Sequence, residues 1–120
     1  MNNIKDEIKH KLHETCKRIA VELDTGEYDT KVDFGDSIDS CLAAHYLYSH
    51  LDILDLEFTV TSAKTYLGAC LSVPVGGAYI EINTRYQSVC GYSNGVRVEH
   101  KYYTDALDLD AYLIEQYNCE

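Results

Sequence analysis

Residues 66–101, YLGACLSVPVGGAYIEINTRYQSVCGYSNGVRVEHK, contain four short apolar runs divided by three turn signals: Gly76-Gly77, Asn83-Thr84-Arg85 and Asn94-Gly95. Gly-Gly and Asn-Gly supply the positive φ angles that tight hairpin turns require. The runs are β-branched and aromatic, and several alternate. Ala78, Ile80 and Ile82 point one way while Tyr79 and Glu81 point the other. Val96, Val98, His100 and Tyr102 alternate in the same way with Arg97, Glu99 and Lys101. A period of two with one apolar side is the pattern of a strand that buries one face. The stretch predicts an antiparallel meander, with the rest of the chain laid against it as helix or leading into it. Pro74 has no N–H to donate, so it predicts an edge strand or a bulge in the first run.

Upstream, residues 3–25 predict a helix. Ile4, Ile8, Leu12, Cys16, Ile19 and Leu23 recur at steps of three and four and make one apolar stripe. Asn2 or Asn3 suits the cap, and Gly26 a left-handed C-terminal position. Residues 26–35 read as a polar connector with a short extended piece at 30–34. Asp36 then caps a second helix that ends near Asp52, with Ile38, Cys41, Leu42, His45, Tyr46 and Leu51 towards one face. Leu54–Thr61 alternates strictly and reads as a strand; residues 62–67 carry no β bias and read as a turn or one helical turn. Downstream, Thr104 caps a final helix with Asp105 and Asp108 in its first turn. Its inner face is Ala106, Leu107, Asp110, Leu113, Ile114 and Tyr117. The expected fold class is α+β, a meander of four to five strands packed with about three helices, in the order α-α-β-β-β-β-β-α.

A chain of 120 residues with 46% hydrophobic content is one domain with a single core, spanning residues 1–120. No apolar run approaches the roughly 20 residues of a membrane span, and the N-terminus is charged and amphipathic rather than a signal peptide. The expected location is therefore the cytosol. Cys16, Cys41, Cys70, Cys90 and Cys119 are an odd set without a CxxC pair, so free thiols are expected rather than a disulfide framework.

The formal net charge is −10. Residues 1–35 carry six Lys/Arg against eight Asp/Glu, and residues 36–120 carry four against twelve. That balance excludes a nucleic-acid binder working through phosphate contacts, which needs a basic face, and it favours basic partners. Asp36, Asp39, Asp52, Asp55 and Glu57 lie within 22 residues that contain no Lys or Arg, and Asp105, Asp108, Asp110, Glu115 and Glu120 do the same in the last 19. If the second and last helices pack on one side of the sheet, these acids merge into an extended negative surface. To a protein with a nucleic-acid channel, such a surface resembles a phosphate backbone. The plainer reading is a solvated face that only aids solubility.

Eleven tyrosines are many for this length. Tyrosine is favoured at interface anchors. Tyr46, Tyr66 and Tyr117 are expected in the core, and Tyr86 and Tyr92 at the surface near turns.

Catalytic and metal patterns are missing. His10, His13 and Cys16 step by three along the first helix, but the step drifts off one face and lacks a nearby fourth ligand. Cys41 and His45 are helix neighbours on an apolar stripe, so core packing is expected rather than a nucleophile pair. Gly76-Gly77 is not followed by a helix or by Lys-Ser/Thr, so it is a turn rather than a phosphate cradle. No enzyme activity, cofactor or metal is expected.

The stretch YLGACLSVPVGGAYIEINTRYQSVCGYSNG, residues 66–95, resembles small accessory proteins of phages and mobile elements in low-GC Gram-positive bacteria. The residues that carry the likeness are Leu67-Gly68-Ala69, the Gly76-Gly77 turn, Ile80 to Thr84 with Arg85, and Gly91-Tyr92. The resemblance implies a protein of the anti-CRISPR type, small, acidic and non-enzymatic, that blocks an effector's nucleic-acid site. The expected function is thus occlusion of a basic host-defence protein, such as a CRISPR effector, by a monomer or homodimer without direct contact to nucleic acid or membrane. Asp36, Asp39, Asp52, Asp55, Glu57, Asp105 and Asp108 would meet Lys/Arg, with Tyr86 and Tyr92 as anchors. Two other readings fit the residues. One is a sponge for a nucleotide signal, with a pocket lined by Arg85, Arg97 and tyrosines; the other is an unrelated metabolic or structural α+β domain.

Overall fold

Five antiparallel strands follow one another in space as they do in the chain. They are β1 (Asp55–Val60), β2 (Tyr66–Val75), β3 (Ala78–Asn83), β4 (Ser88–Ser93) and β5 (Val96–Lys101). The other elements are α1 (Asn3–Thr25), α2 (Leu42–His45), a π-helical turn over Tyr46–His50 that continues α2, and α3 (Leu109–Asn118). This computed structural model describes residues 3–28, 42–75 and 78–119. The fold is α+β, as the alternation in residues 66–101 predicts. No described helix is long and apolar enough to cross a membrane.

The meander's register keeps its apolar positions together. Leu71 pairs with Ile82 and Ile82 with Val89; Val73 pairs with Ile80, Ile80 with Gly91 and Gly91 with Val98. All these side chains are buried, and they form the floor of the core. α1 lies across β4 and β5, while α3 lies on β2 beside α2. The predicted stripe of α1 is the one that faces the sheet, with Leu12, Cys16, Ile19 and Leu23 buried. Gly91 permits that contact. A Cβ there would come within 2.8 Å of Cys16 Sγ and 3.1 Å of Leu12 Cδ2, so a side chain would lift the helix from the strand.

Several boundaries differ from expectation. β2 begins at Tyr66, so the expected 62–67 turn shrinks to residues 62–65. β2 is also an interior strand despite Pro74. Thr84 N bonds to Ala69 O and Leu54 N to Ser72 O, so alternate residues of β2 face β3 and β1 in turn. Pro74 therefore faces the β1 side, beyond Ser72, where β1 pairing ends. Its missing N–H is needed by no neighbour, so the proline rule holds locally although the strand is central. α3 starts at Leu109, four residues later than a Thr104 cap predicts. Asp108 sits before it in a left-handed conformation, φ 55°, and makes no side-chain cap. Asp105 caps instead, accepting from Leu109 N at 2.8 Å and Asp110 N at 2.9 Å. Leu107, Leu109 and Leu113 form the buried edge, while Ile114 is exposed. The π turn shifts the second helix too. Leu51 N reaches back five residues to Tyr46 O at 2.8 Å, and the buried set becomes Ala43, Tyr46, Leu47 and Leu51. The extended piece at 30–34, the Asp36 cap, Ile38 and Cys41 lie outside the described residues.

Candidate binding surfaces

All described helices pack on one side of the sheet, which leaves the other side without a described cover. Antiparallel sheets tolerate this because alternation gives each strand a polar face. Pairing places the open-face residues in three rows. Asp55, Ser72, Glu81, Cys90 and Glu99 cross the sheet in one. Glu57, Cys70, Asn83, Ser88 and Lys101 form the next, and Pro74, Tyr79, Tyr92 and Arg97 a third. Four carboxylates thus share the face with Arg97 and Lys101.

Local contacts order this surface. Tyr79 OH and Ser72 Oγ are 2.6 Å apart, and the Tyr79 and Tyr92 ring centroids 6.0 Å apart. Arg97 lies 5.9 Å from the Tyr92 centroid, 3.5 Å from Cys90 Sγ and 3.9 Å from a Glu99 oxygen. Burial first, then Glu81 and Glu57, push the Cys70 thiol up from its ordinary value. The two carboxylates therefore impose a negative potential at the middle of the face.

The acids expected to merge are divided by the sheet. Asp55, Glu57 and Tyr92 belong to the open face. Asp105 and Asp108 stand at the start of α3, on the helix side, and Asp105 is committed to capping. Asp52 is exposed between the π turn and β1, with φ 55°. Tyr86 is 59% exposed in the β3–β4 turn, at the end of the sheet opposite Tyr92. Asp36 and Asp39 lie outside the described residues, and the described part of the second helix, 42–50, carries no Asp or Glu. A joint acidic flank of the second and last helices is therefore absent among the described residues. Glu81 and Glu99, which the charge argument overlooked, take its place because alternation in β3 and β5 turns them to the open side.

Arg85 and Arg97 do not share a pocket. Arg97 lies near the β4–β5 turn, while Arg85 lies in the β3–β4 turn at the other end of the sheet. Arg85 stands at a polar cavity of about 310 Å³, bounded by Leu67 of β2, by Thr84 and Gln87 of the turn, and by Tyr102, Asp105 and Asp110. Gly68 makes the turn's position possible, since a Cβ on it would fall 2.6 Å from Arg85 Cβ and 2.9 Å from Arg85 N.

A polar cluster that periodicity does not signal joins α1 to the π turn. The buried Glu22 accepts from Tyr46 OH at 2.7 Å and lies 3.3 Å from His50 Nε2. Tyr28 OH and His45 Nδ1 are 2.6 Å apart, and the Tyr28 ring packs on His45, Tyr46 and His50. Burial, then the Glu22 hydrogen bond and charge, push the Tyr46 hydroxyl well above the usual phenol range. Glu22, Tyr46 and His50 bond to one another, so the cluster fastens helix to turn. On α1, His13 Nδ1 lies 2.9 Å from His100 Nε2 of β5, and Cys16 points into the core. The expected three-residue step of His10, His13 and Cys16 therefore diverges, and among the described residues no group of three or more His, Cys, Asp or Glu is placed to hold a metal ion.

Among the described residues, the fold is a five-stranded meander with helices on one side and an ionic, tyrosine-bearing surface on the other. No protein-family model, curated protein or solved structure matches the chain.

Proposed function

We propose that this protein is a non-enzymatic acidic inhibitor that occludes a cationic surface of a nucleic-acid-handling protein, with the open sheet face as the contact. The observation that carries this reading is the register that sets Asp55, Glu57, Glu81 and Glu99 on one face that no described element covers, with Tyr79 and Tyr92 at its end. The strands fix the backbone beneath these carboxylates before binding, so only side-chain rotamers remain to be ordered against Lys and Arg. The tyrosines add apolar area with few rotatable bonds. The likeness of residues 66–95 to anti-CRISPR accessory proteins makes a CRISPR effector nuclease the first partner to try.

The test is calorimetric binding to a panel of cationic nucleic-acid-handling proteins, beginning with such an effector, from low to high salt. Affinity should fall as salt rises. The double reversal Glu81→Lys/Glu99→Lys should weaken binding at least tenfold, while Glu115→Lys on the helix side should leave it unchanged. Binding that ignores both salt and the double reversal refutes the proposal.

A further inference from the structure

We propose that the cavity between the β3–β4 turn and the start of α3 binds a small zwitterion of amino-acid size, its carboxylate on Arg85 and its ammonium group on Asp110. This site lies beneath α3 and is separate from the open face, so it stands or falls independently of the inhibitor reading.

The cavity is lined by the ring of a buried tyrosine. Tyr102 is 2% exposed, it lines the cavity, and its hydroxyl makes no hydrogen bond to any described residue. A hydroxyl without a protein partner is available to donate to a ligand. Here the backbone of the same residue is fixed, Tyr102 N donating to Gln87 O at 3.0 Å, so the ring is held in place. Thr84 is also buried, with its Oγ1 accepting from Ala69 N at 2.9 Å.

The charges flank that hydroxyl. Asp110 uses Oδ1 to accept from Tyr66 OH at 2.6 Å, while its Oδ2 accepts from no described group. Asp105 is immobilised by the two backbone N–H groups it caps. Arg85 contacts the Tyr86 ring, 5.4 Å to the centroid, and ion-pairs with no carboxylate of the described residues. Burial, then Asp105 and Asp110, push the Tyr102 hydroxyl above the ordinary phenol range, so it stays protonated and can donate.

The mixed lining selects the ligand class. A phosphate or simple carboxylate would meet two carboxylates, and a simple cation would meet the guanidinium. A molecule with an ammonium group at one end and a carboxylate at the other meets each with its opposite, and the phenol can donate to the same carboxylate. About 310 Å³ lies at the small end of ligand pockets, which suits one amino acid rather than a nucleotide.

The test is a titration of the ¹⁵N-labelled protein with each of the twenty L-amino acids, read from amide shifts. At least one should give saturable shifts centred on Thr84, Gln87 and Tyr102. Its methyl ester, which lacks the carboxylate charge, should bind at least tenfold more weakly. In Arg85→Gln, whose exposed turn position spares the core, acid and ester should bind alike. Tyr102→Phe, which keeps the ring packing, should weaken the acid severalfold while the spectrum stays folded. Absence of any saturable shift, shifts centred elsewhere, or equal binding of acid and ester by the unaltered protein overturns the proposal and leaves a cavity filled by water alone.

Discussion

Replacing Gly68 with alanine should destabilise the protein by about 2 kcal/mol. Gly68 lies under the β3–β4 turn, where a Cβ would stand 2.6 Å from Arg85 Cβ, 2.9 Å from its N and 3.0 Å from its Cα. Carbon atoms prefer separations of about 3.5–4.0 Å, so the turn would have to rise by roughly 1 Å. Rotamer changes cannot relieve contacts with backbone atoms. The turn is pinned to β2 by Thr84 N to Ala69 O and by Ala69 N to Thr84 Oγ1, both 2.9 Å. Stretching two such bonds, each worth about 0.5–1.5 kcal/mol, and overpacking the contact cost about 2–3 kcal/mol together. Alanine's smaller unfolded-state entropy returns about 0.4–1 kcal/mol. At about 2.1 cal/mol/K of unfolding entropy per residue, the net loss lowers Tm by roughly 8 °C. Calorimetry or urea titration would read it, and amide exchange should accelerate at Ala69 and Thr84. Adding Arg85→Gly removes only the Cβ contact, so it should restore part of the loss. A Gly68→Ala protein that melts at the original temperature with unchanged exchange would refute the packing argument.

Two further outcomes follow from the buried polar groups. Tyr46→Phe keeps the ring but removes the donor to Glu22, so it should cost about 1–3 kcal/mol by urea denaturation, and Tyr28→Phe at the cluster's rim should cost less. Burial, His13 and Lys17 hold the His100 imidazole below its ordinary 6.5. The unfolded chain then takes up that proton first as pH falls, so stability should drop from about pH 6.5 downwards until the folded imidazole also protonates. His100→Gln should flatten that limb of a plot of urea midpoint against pH; an unchanged slope would show that other groups govern it.

Local rules read the sheet well because they are strong there. Alternation in β3 and β5 and the Asn94-Gly95 turn depend on neighbours within a few residues, and every core position they named is buried or half-buried. The α1 stripe was legible for the same reason, and Gly26 does take a positive φ of 73°. Misreadings came where a distant group intervened. Thr104 looks like a cap, but its N–H and that of Tyr103 donate to Asp24 at the end of α1, which holds the segment out of helix and delays α3. Lys64 at φ 64° and the Tyr117 hydroxyl on Lys64 O compress the β1–β2 turn, a contact 53 residues apart that no local pattern encodes. Charge along the chain misleads for a related reason. Runs without Lys or Arg mark acidity along the chain, whereas a face is assembled across strands, so Glu81 and Glu99 count and Asp105 does not.

The sheet's edges bear on how a partner can approach. A strand edge with unpaired N–H and C=O groups invites another strand to add to it. In β1 the backbone groups of Asp55, Glu57 and Thr59 face β2, so those of Leu56 point to the free edge, and its N–H is already taken by Asp55 Oδ1 at 2.9 Å. The charged residues Asp55 and Glu57 flank it. At the opposite edge, β5 alternates Arg97, Glu99 and Lys101, which discourages stacking of a second strand. Strand addition is thereby disfavoured at both ends, while the face between them stays uncovered by any described element. A partner that docks there must do so through side chains rather than through a backbone ladder. Its affinity must then carry the salt dependence of ion pairs, which is why the salt series, more than any pulldown, discriminates between this mode and strand addition.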